Sequence, residues 1–299
     1  MITSPALTTR LPQRLSPLVT GAIIVTVLAW ASAFVVIRGT AAFFSGGALA
    51  LGRLLVGSVL LSLSMLGRTW VRPTGREWLQ VGAFGLAWFG AYNVVLNIAE
   101  RTLDAGTTAM VVNTGPILIA LGAGWILREG IGKWLAIGGG VAFVGVVCIG
   151  IGTGGSGLGS GIGVAWALTA ALTYAVGVLF QKPALRRLPS AQVTWLGCIV
   201  GTLACLPFSG ELVSGFAAAP VSAILGVVYL GAVPTALAFS TWGYALARMP
   251  AGQLGISTYV VPPLAVVLGL LVFAEVPAPL AVAGGAICLI GVALSRRRA

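Results

Sequence analysis

Apolar residues run through this chain in blocks of membrane length, separated by short polar or basic connections. Ten blocks can be marked out, at about 18–37, 43–66, 78–99, 105–127, 132–151, 160–181, 191–208, 219–246, 252–273 and 276–295. A bilayer core of about 30 Å takes roughly 20 helical residues. The blocks are rich in Leu, Ala and Gly and lack the period-two alternation of a transmembrane barrel, so the pattern predicts helices.

The fourth block has Asn113, Thr114 and Pro116 at its middle, and it has a twin. A shift of 146 positions, Ala105 to Ala251, also lays Gly106 on Gly252, Pro116 on Pro262, Leu118 on Leu264 and Glu129 on Glu275. The same shift lays Gly138 and Gly139 on Gly284 and Gly285, and Gly145 on Gly291. Two copies of one five-helix unit are expected, and the low-complexity stretch GTGGSGLGSG, Gly152 to Gly161, reads as the flexible join between them. Five is odd, so the second copy enters the membrane from the opposite side and the repeats are expected to be inverted. The expected plan is an all-α membrane protein of ten transmembrane helices. It has a tail at 1–17, a first repeat at 18–151, a linker at 152–160, a second, inverted repeat at 161–295 and a basic tail at 296–299.

Composition agrees with that plan. With 58% hydrophobic and 8% charged residues and a mean hydropathy of +1.05, the chain has too little polar side chain to coat a soluble domain. The net charge of +11 would otherwise suggest nucleic acid, but the basic residues sit between apolar blocks. With the N-terminus placed in the cytoplasm, 14 Lys and Arg fall on that side and 2, Arg38 and Arg101, on the other, leaving Arg53 inside a span. That split predicts both termini to be cytoplasmic. Arg10, Arg14 and three prolines precede a first block too long for a signal peptide, which is expected to be retained. Cys148, Cys198, Cys205 and Cys288 lie within apolar blocks and read as packing residues rather than a disulfide framework.

The candidate chemistry is sparse. Prolines at matched depth, Pro116 and Pro262, each free a backbone carbonyl, and such a pair points to the binding site or hinge of a repeat-built carrier, with plain helix kinks as the alternative. Thr107, Met110, Asn113 and Thr114 share a face that the shift maps to Gln253, Ile256, Tyr259 and Val260; Asn93 and Asn97 share a face of the third helix, where interhelical hydrogen bonding is the other reading. Trp88, Tyr92, Tyr174 and Tyr259 lie deep enough to line a cavity or to pack, whereas Trp70, Trp78, Trp125, Trp134 and Trp195 sit at span ends as an aromatic belt. Arg53 is an ionisable group inside a span, a functional candidate that could instead snorkel or pair with Glu100 or Asp104. Gly138-x3-Ala142 and Gly284-x3-Cys288 read as close-packing faces that also allow a dimer. There is no histidine, no acidic residue at mid-span, no Cys/His cluster and no nucleophile signature. No catalytic residue, metal or cofactor is therefore expected, and facilitated transport is compatible with what remains.

The ten-span plan, together with AWASAFVVIRG (29–39), LGRLLVGSVLLSL (51–63), ALARMPAG (245–252) and the Pro-Glu-Gly pattern of the twin segments, resembles the drug/metabolite transporter superfamily. It looks like the EamA-type branch, and most like the YddG-type bacterial amino acid exporters. That resemblance implies a multi-pass protein of the bacterial inner membrane, monomeric or dimeric. It would export small metabolites, aromatic and other neutral amino acids first, by alternating access around a central cavity. Carried over residue by residue, the cavity would be lined by Trp30, Trp88, Tyr92, Asn93, Asn113, Thr114, Tyr174, Tyr244 and Tyr259, beside Pro116 and Pro262. A drug or nucleotide-sugar carrier of the same fold is the alternative, and a lipid-active membrane enzyme a more distant one.

Overall fold

A computed structural model of the chain describes residues 16–126, 133–153, 158–249 and 251–294. Several residues used above lie outside them: the basic residues of both tails, Arg128, Glu129 and the centre of the Gly/Ser join, as do the side chains of Trp125, Gln253 and Ile256. Within the described residues the regular structure is helical throughout. We number it α1 Pro17–Thr40, α2 Gly46–Met65, α3 Gly75–Ala99, α4 Ala105–Val112, α5 Gly115–Ile126 and α6 Lys133–Thr153, then α7 Leu158–Ala184, α8 Ser190–Ala218, α9 Val221–Arg248, α10 Ala251–Ser257, α11 Val261–Phe273 and α12 Pro279–Leu294. Six of them, α1, α2, α3, α7, α8 and α9, are long and apolar enough to cross a membrane. Large apolar side chains such as Leu18, Phe143, Leu225 and Leu271 stand exposed on the outside. That surface suits lipid and would be untenable in water.

Polar residues at the block boundaries start the helices. Ser16 and Ser45 accept from the backbone N–H groups of Val19 and Ala48, and Thr74 with Glu77 forms a reciprocal capping box at α3. Asp104 caps α4, one carboxylate oxygen accepting from the Thr107 N–H at 2.8 Å and the other from its hydroxyl at 2.6 Å. Each satisfies donors that a helix start leaves unpaired.

The expectation of unbroken fourth and ninth helices is corrected. α4 ends at Val112, residues 113 and 114 form a turn, and α5 starts at Gly115. Likewise α10 ends at Ser257, and a 3-10 turn, Thr258–Val260, precedes α11. Pro116 and Pro262 therefore lie in the first turns of new helices, where the missing N–H has no partner to lose. They are not kinks inside continuous ones.

The 146-residue shift reaches further than the matching letters do. α3 contains a π-helical segment, Gly85–Ala91, and α9 contains another, Gly231–Leu237; both ends agree with the shift. The first residue of α6, Lys133, likewise maps to the first of α12, Pro279. Contacts follow the same exchange. α1 packs on α9 and α11, its counterpart α7 on α3 and α5, and the equivalent pairs α2/α8 and α6/α12 pack on each other. At the α6/α12 crossing a Cβ on Gly145 would lie 2.5 Å from the Gly284 carbonyl, and one on Gly291 2.6 Å from the Gly138 carbonyl. The glycine faces thus close the fold internally by direct backbone approach, and are not left bare for a second copy.

Candidate functional site

Where α1, α2, α3, α4, α7, α9 and α11 converge, the helices enclose a cavity of about 50 Å³. Its walls carry Trp30, Phe34, Arg53, Trp88, Tyr92, Leu96, Asn113, Tyr174, Phe239 and Thr258, completed by Ala33, Ala109, Val112 and Val261. Aromatic rings make one side. Trp88 stands 4.8 Å from Tyr174 and 4.9 Å from Phe239, ring centre to ring centre, and Trp30 stands 5.0 Å from Trp242. These tilted and edge-on contacts are the arrangements that aromatic quadrupoles favour. Trp30 is tied across to the second half, its indole N–H donating to the Pro234 carbonyl at 3.3 Å.

The polar side is built at the helix breaks. Asn113, in the turn between α4 and α5, accepts at Oδ1 from the Thr258 hydroxyl at 3.2 Å, so the two breaks meet at the cavity. Its Nδ2 is buried and has no hydrogen-bond partner among the described residues. Thr258 is the 146-shift counterpart of Val112, and both line the wall. Facing them is Arg53, with only 3% of its surface exposed. Its Nε donates to the Thr235 hydroxyl at 3.1 Å, which donates onward to the Leu230 carbonyl at 2.7 Å. Among the described residues the ion pairs are Arg38–Glu275 and Arg187–Glu77, so the alternative in which Arg53 pairs with Glu100 or Asp104 is not formed. A buried cation, an amide donor and a hydroxyl converge on an aromatic pocket. The arrangement can hold a carboxylate beside an apolar group.

Of the sequence candidates, the structure brings Trp30, Trp88, Tyr92, Asn113 and Tyr174 to this cavity. It does not bring four others. Asn93 turns back on its own helix, donating to the carbonyls of Phe89 at 2.7 Å and Trp88 at 3.3 Å. The wider ladder of the π segment, in which the Tyr92 N–H reaches Ala87, leaves those acceptors to be met. Thr114 bonds to the Val111 carbonyl at 2.9 Å. Tyr259 packs against Ile117 and Ala142, and Tyr244 lines a separate groove of about 780 Å³ between α1, α2, α8 and α9, where the Arg248 guanidinium lies 3.5 Å from its ring centre. Asn97 does bond between helices, to the Gly46 carbonyl at 3.0 Å. Sequence reading missed Phe239 and Trp242. The available signal was the shift, which lays Phe239 on the flagged Asn93.

The two ends differ. At one, Arg38 bonds through Nε and Nη2 to Glu275 at 3.1 and 2.9 Å, and through Nη1 to the Glu100 carbonyl at 3.1 Å. This clamp ties α1, the end of α3 and the segment after α11, where Ala274 takes a left-handed φ of 54°. At the other, Arg187 bonds to Glu77 and to the Arg72 carbonyl, and Lys182 to the carbonyls of Leu246 and Met249.

Comparison with known proteins agrees with this picture. The model of the EamA-like transporter family matches residues 19–151 and again 161–297. The chain is 36% identical over 279 residues to the probable terminal-alkyne amino-acid exporter of Streptantibioticus cattleyicolor, covering 93% of each protein. It is 31% identical to the uncharacterized transporter YdfC of Bacillus subtilis, covering 88% of this chain and 86% of that one. One crystal structure superimposes with a TM-score of 0.64 at 19% identity, covering 93% of this chain and 97% of its own, a likeness of fold. A chain of apolar helices, matched twice along its length and through nearly all of it by transporters, is a multi-pass membrane protein that moves a small molecule, and it belongs to the EamA-like transporter family.

Proposed function

We propose that this protein exports neutral amino acids, aromatic ones among them, across the inner membrane of a bacterium. The observation that carries the reading is Arg53, a guanidinium in the wall of an aromatic cavity with no carboxylate paired to it among the described residues. It would take the substrate carboxylate, Asn113 and Thr258 would position the polar end, and Trp30, Trp88, Tyr174 and Phe239 would hold the side chain. The amino-acid exporter of Streptantibioticus cattleyicolor supports the substrate class. The transport unit is a pair of inverted five-helix repeats with ten crossings and both termini cytoplasmic. Its broken fourth and ninth helices act as hinges for alternating access, an arrangement that recurs in carriers built from inverted repeats.

A cavity of about 50 Å³ is smaller than the roughly 150 Å³ void that accepts benzene, so the conformation described here is contracted and the site must expand to admit an amino acid. The test is exchange of radiolabelled phenylalanine and methionine in liposomes containing only this protein, with phenylalaninamide as competitor. Saturable exchange that the amide does not inhibit supports the proposal. Exchange of no amino acid by folded protein overturns it.

A further inference from the structure

Glu100 follows the last residue of α3 and is fully buried, with neither carboxylate oxygen hydrogen-bonded among the described residues. Charged and titratable groups approach it from each surrounding element: Arg38 of α1, Arg53 of α2, Tyr92 of α3, Asp104 at the start of α4 and Glu275 after α11. None supplies a donor to its carboxyl. Arg38 spends its bonds on Glu275 and on the Glu100 backbone, Asp104 is taken by Thr107, and Arg53 is held by Thr235. A buried carboxylate without donors or a partner ion is strongly disfavoured against its neutral form. Desolvation accordingly holds this carboxyl well above the usual carboxylate range; Asp104 and Glu275 push the same way, and Arg38 and Arg53 oppose.

Its place gives that proton a role. Trp88, Tyr92 and Leu96 line the cavity at helical intervals of four, and Glu100 is the next position on the stripe, between the cavity and the Arg38–Glu275 clamp. Opening this end would separate the clamp and let water reach Glu100.

We propose that Glu100 is a proton-binding site that sets the closure of the clamped end: it carries a proton while that end is shut and gives it to entering water when that end opens. The carboxyl O–H bond breaks, water takes the proton, and Arg38 and Arg53 face the resulting carboxylate. Closure takes the proton back from the same side. This rests on the alternating-access reading above. The shut state binds one proton more than the open one, so acidification favours closure, by up to about tenfold per pH unit between the two pKa values. Because the proton leaves and returns on one side, transport becomes pH-sensitive without being proton-driven.

The test compares wild type with Glu100→Gln, which has the shape of the protonated acid. The full chain is placed in liposomes with equal pH on both sides, and two quantities are read: the infrared C=O band of a protonated carboxyl, and phenylalanine exchange. The chain has six acidic residues, which makes the band assignable. Wild type should show the band at neutral pH and lose exchange as pH falls, by up to tenfold per unit. Glu100→Gln should lack the band and exchange slowly at every pH. A band absent from wild type or surviving the substitution overturns the proposal, as does an unchanged pH profile in the variant. Should no amino acid be exchanged, the substrate reading fails, and the band alone decides the protonation of Glu100.

Discussion

Replacing Arg53 by methionine separates binding from folding. Among the described residues the guanidinium is attached to the protein by one hydrogen bond, Nε to the Thr235 hydroxyl at 3.1 Å, and Thr235 keeps its own bond to Leu230 when Arg53 is lost. Methionine preserves the stem that fills the space between α2 and α9 and removes a desolvated charge, a change that is often neutral or stabilising when no buried partner ion is left behind. Folded yield and melting temperature should therefore hold or rise. Binding should not. A hydrogen bond to a charged group contributes about 1.5–3 kcal/mol, which corresponds to about a 10- to 150-fold rise in the half-saturation concentration for phenylalanine. The assay is counterflow of labelled phenylalanine in liposomes at several concentrations, with competition by phenylalanine and by phenylalaninamide. Wild type should prefer the free carboxylate, and Arg53→Met should lose most of that preference. A variant that keeps it would refute the assignment of Arg53 to the carboxylate.

Asn113→Ala removes the acceptor for Thr258 and an unpartnered donor at the cavity wall; exchange should fall without loss of folded protein, and normal exchange would remove Asn113 from the site. Pro262→Ala lets the 3-10 turn and α11 compete to form one continuous helix, so exchange should slow while substrate affinity holds; an unaltered rate would sink the hinge. At the α6/α12 crossing a Cβ on Gly284 would lie 2.6 Å from the Gly145 carbonyl and 2.8 Å from the Ile149 amide, so Gly284→Val should destabilise by about 1–3 kcal/mol or more. Gly140→Ala, one helical face away with open space around it, should be neutral or stabilise by up to about 1 kcal/mol, as measured by thermal aggregation in detergent; equal effects of the two would argue against the crossing.

Element type and approximate bounds were legible because membrane-length apolar blocks have one economical backbone solution, the helix. The internal shift was legible from letters as plain as Gly145 and Gly291, since backbone contact at that crossing leaves no room for a side chain. The breaks before Pro116 and Pro262 were half legible. Proline marks where a helix cannot donate, but whether it kinks one helix or starts another depends on the polar residues just before it, here Asn113 and Thr258, and on their bond across the interface. The site divided in the same way. Arg53 and the deep aromatics announced themselves by depth. Asn93, Thr114 and Tyr259 stand out by chemistry and depth and Tyr244 by the family resemblance alone, and none of these says which way a side chain turns. At Asn93 the deciding feature was the π segment, which regular 3.6-residue spacing cannot represent.

The π segments carry a consequence for how such a pocket changes over time. Each holds one residue more than an α-helix of the same height would, so the extra residue is taken up as a wider turn and the α-helical turns on either side keep their phase. Removing one residue from Gly85–Ala91 would restore the ordinary ladder and leave Tyr92 and Leu96 on the cavity wall, while the residues inside the segment, Trp88 among them, would change the direction they face. The same holds for Gly231–Leu237 and Phe239. A lineage could thus rebuild one patch of its pocket by one codon's deletion while the rest of the wall stayed in register, so that the length of these two segments is as much a specificity character as the identity of the residues that touch the substrate.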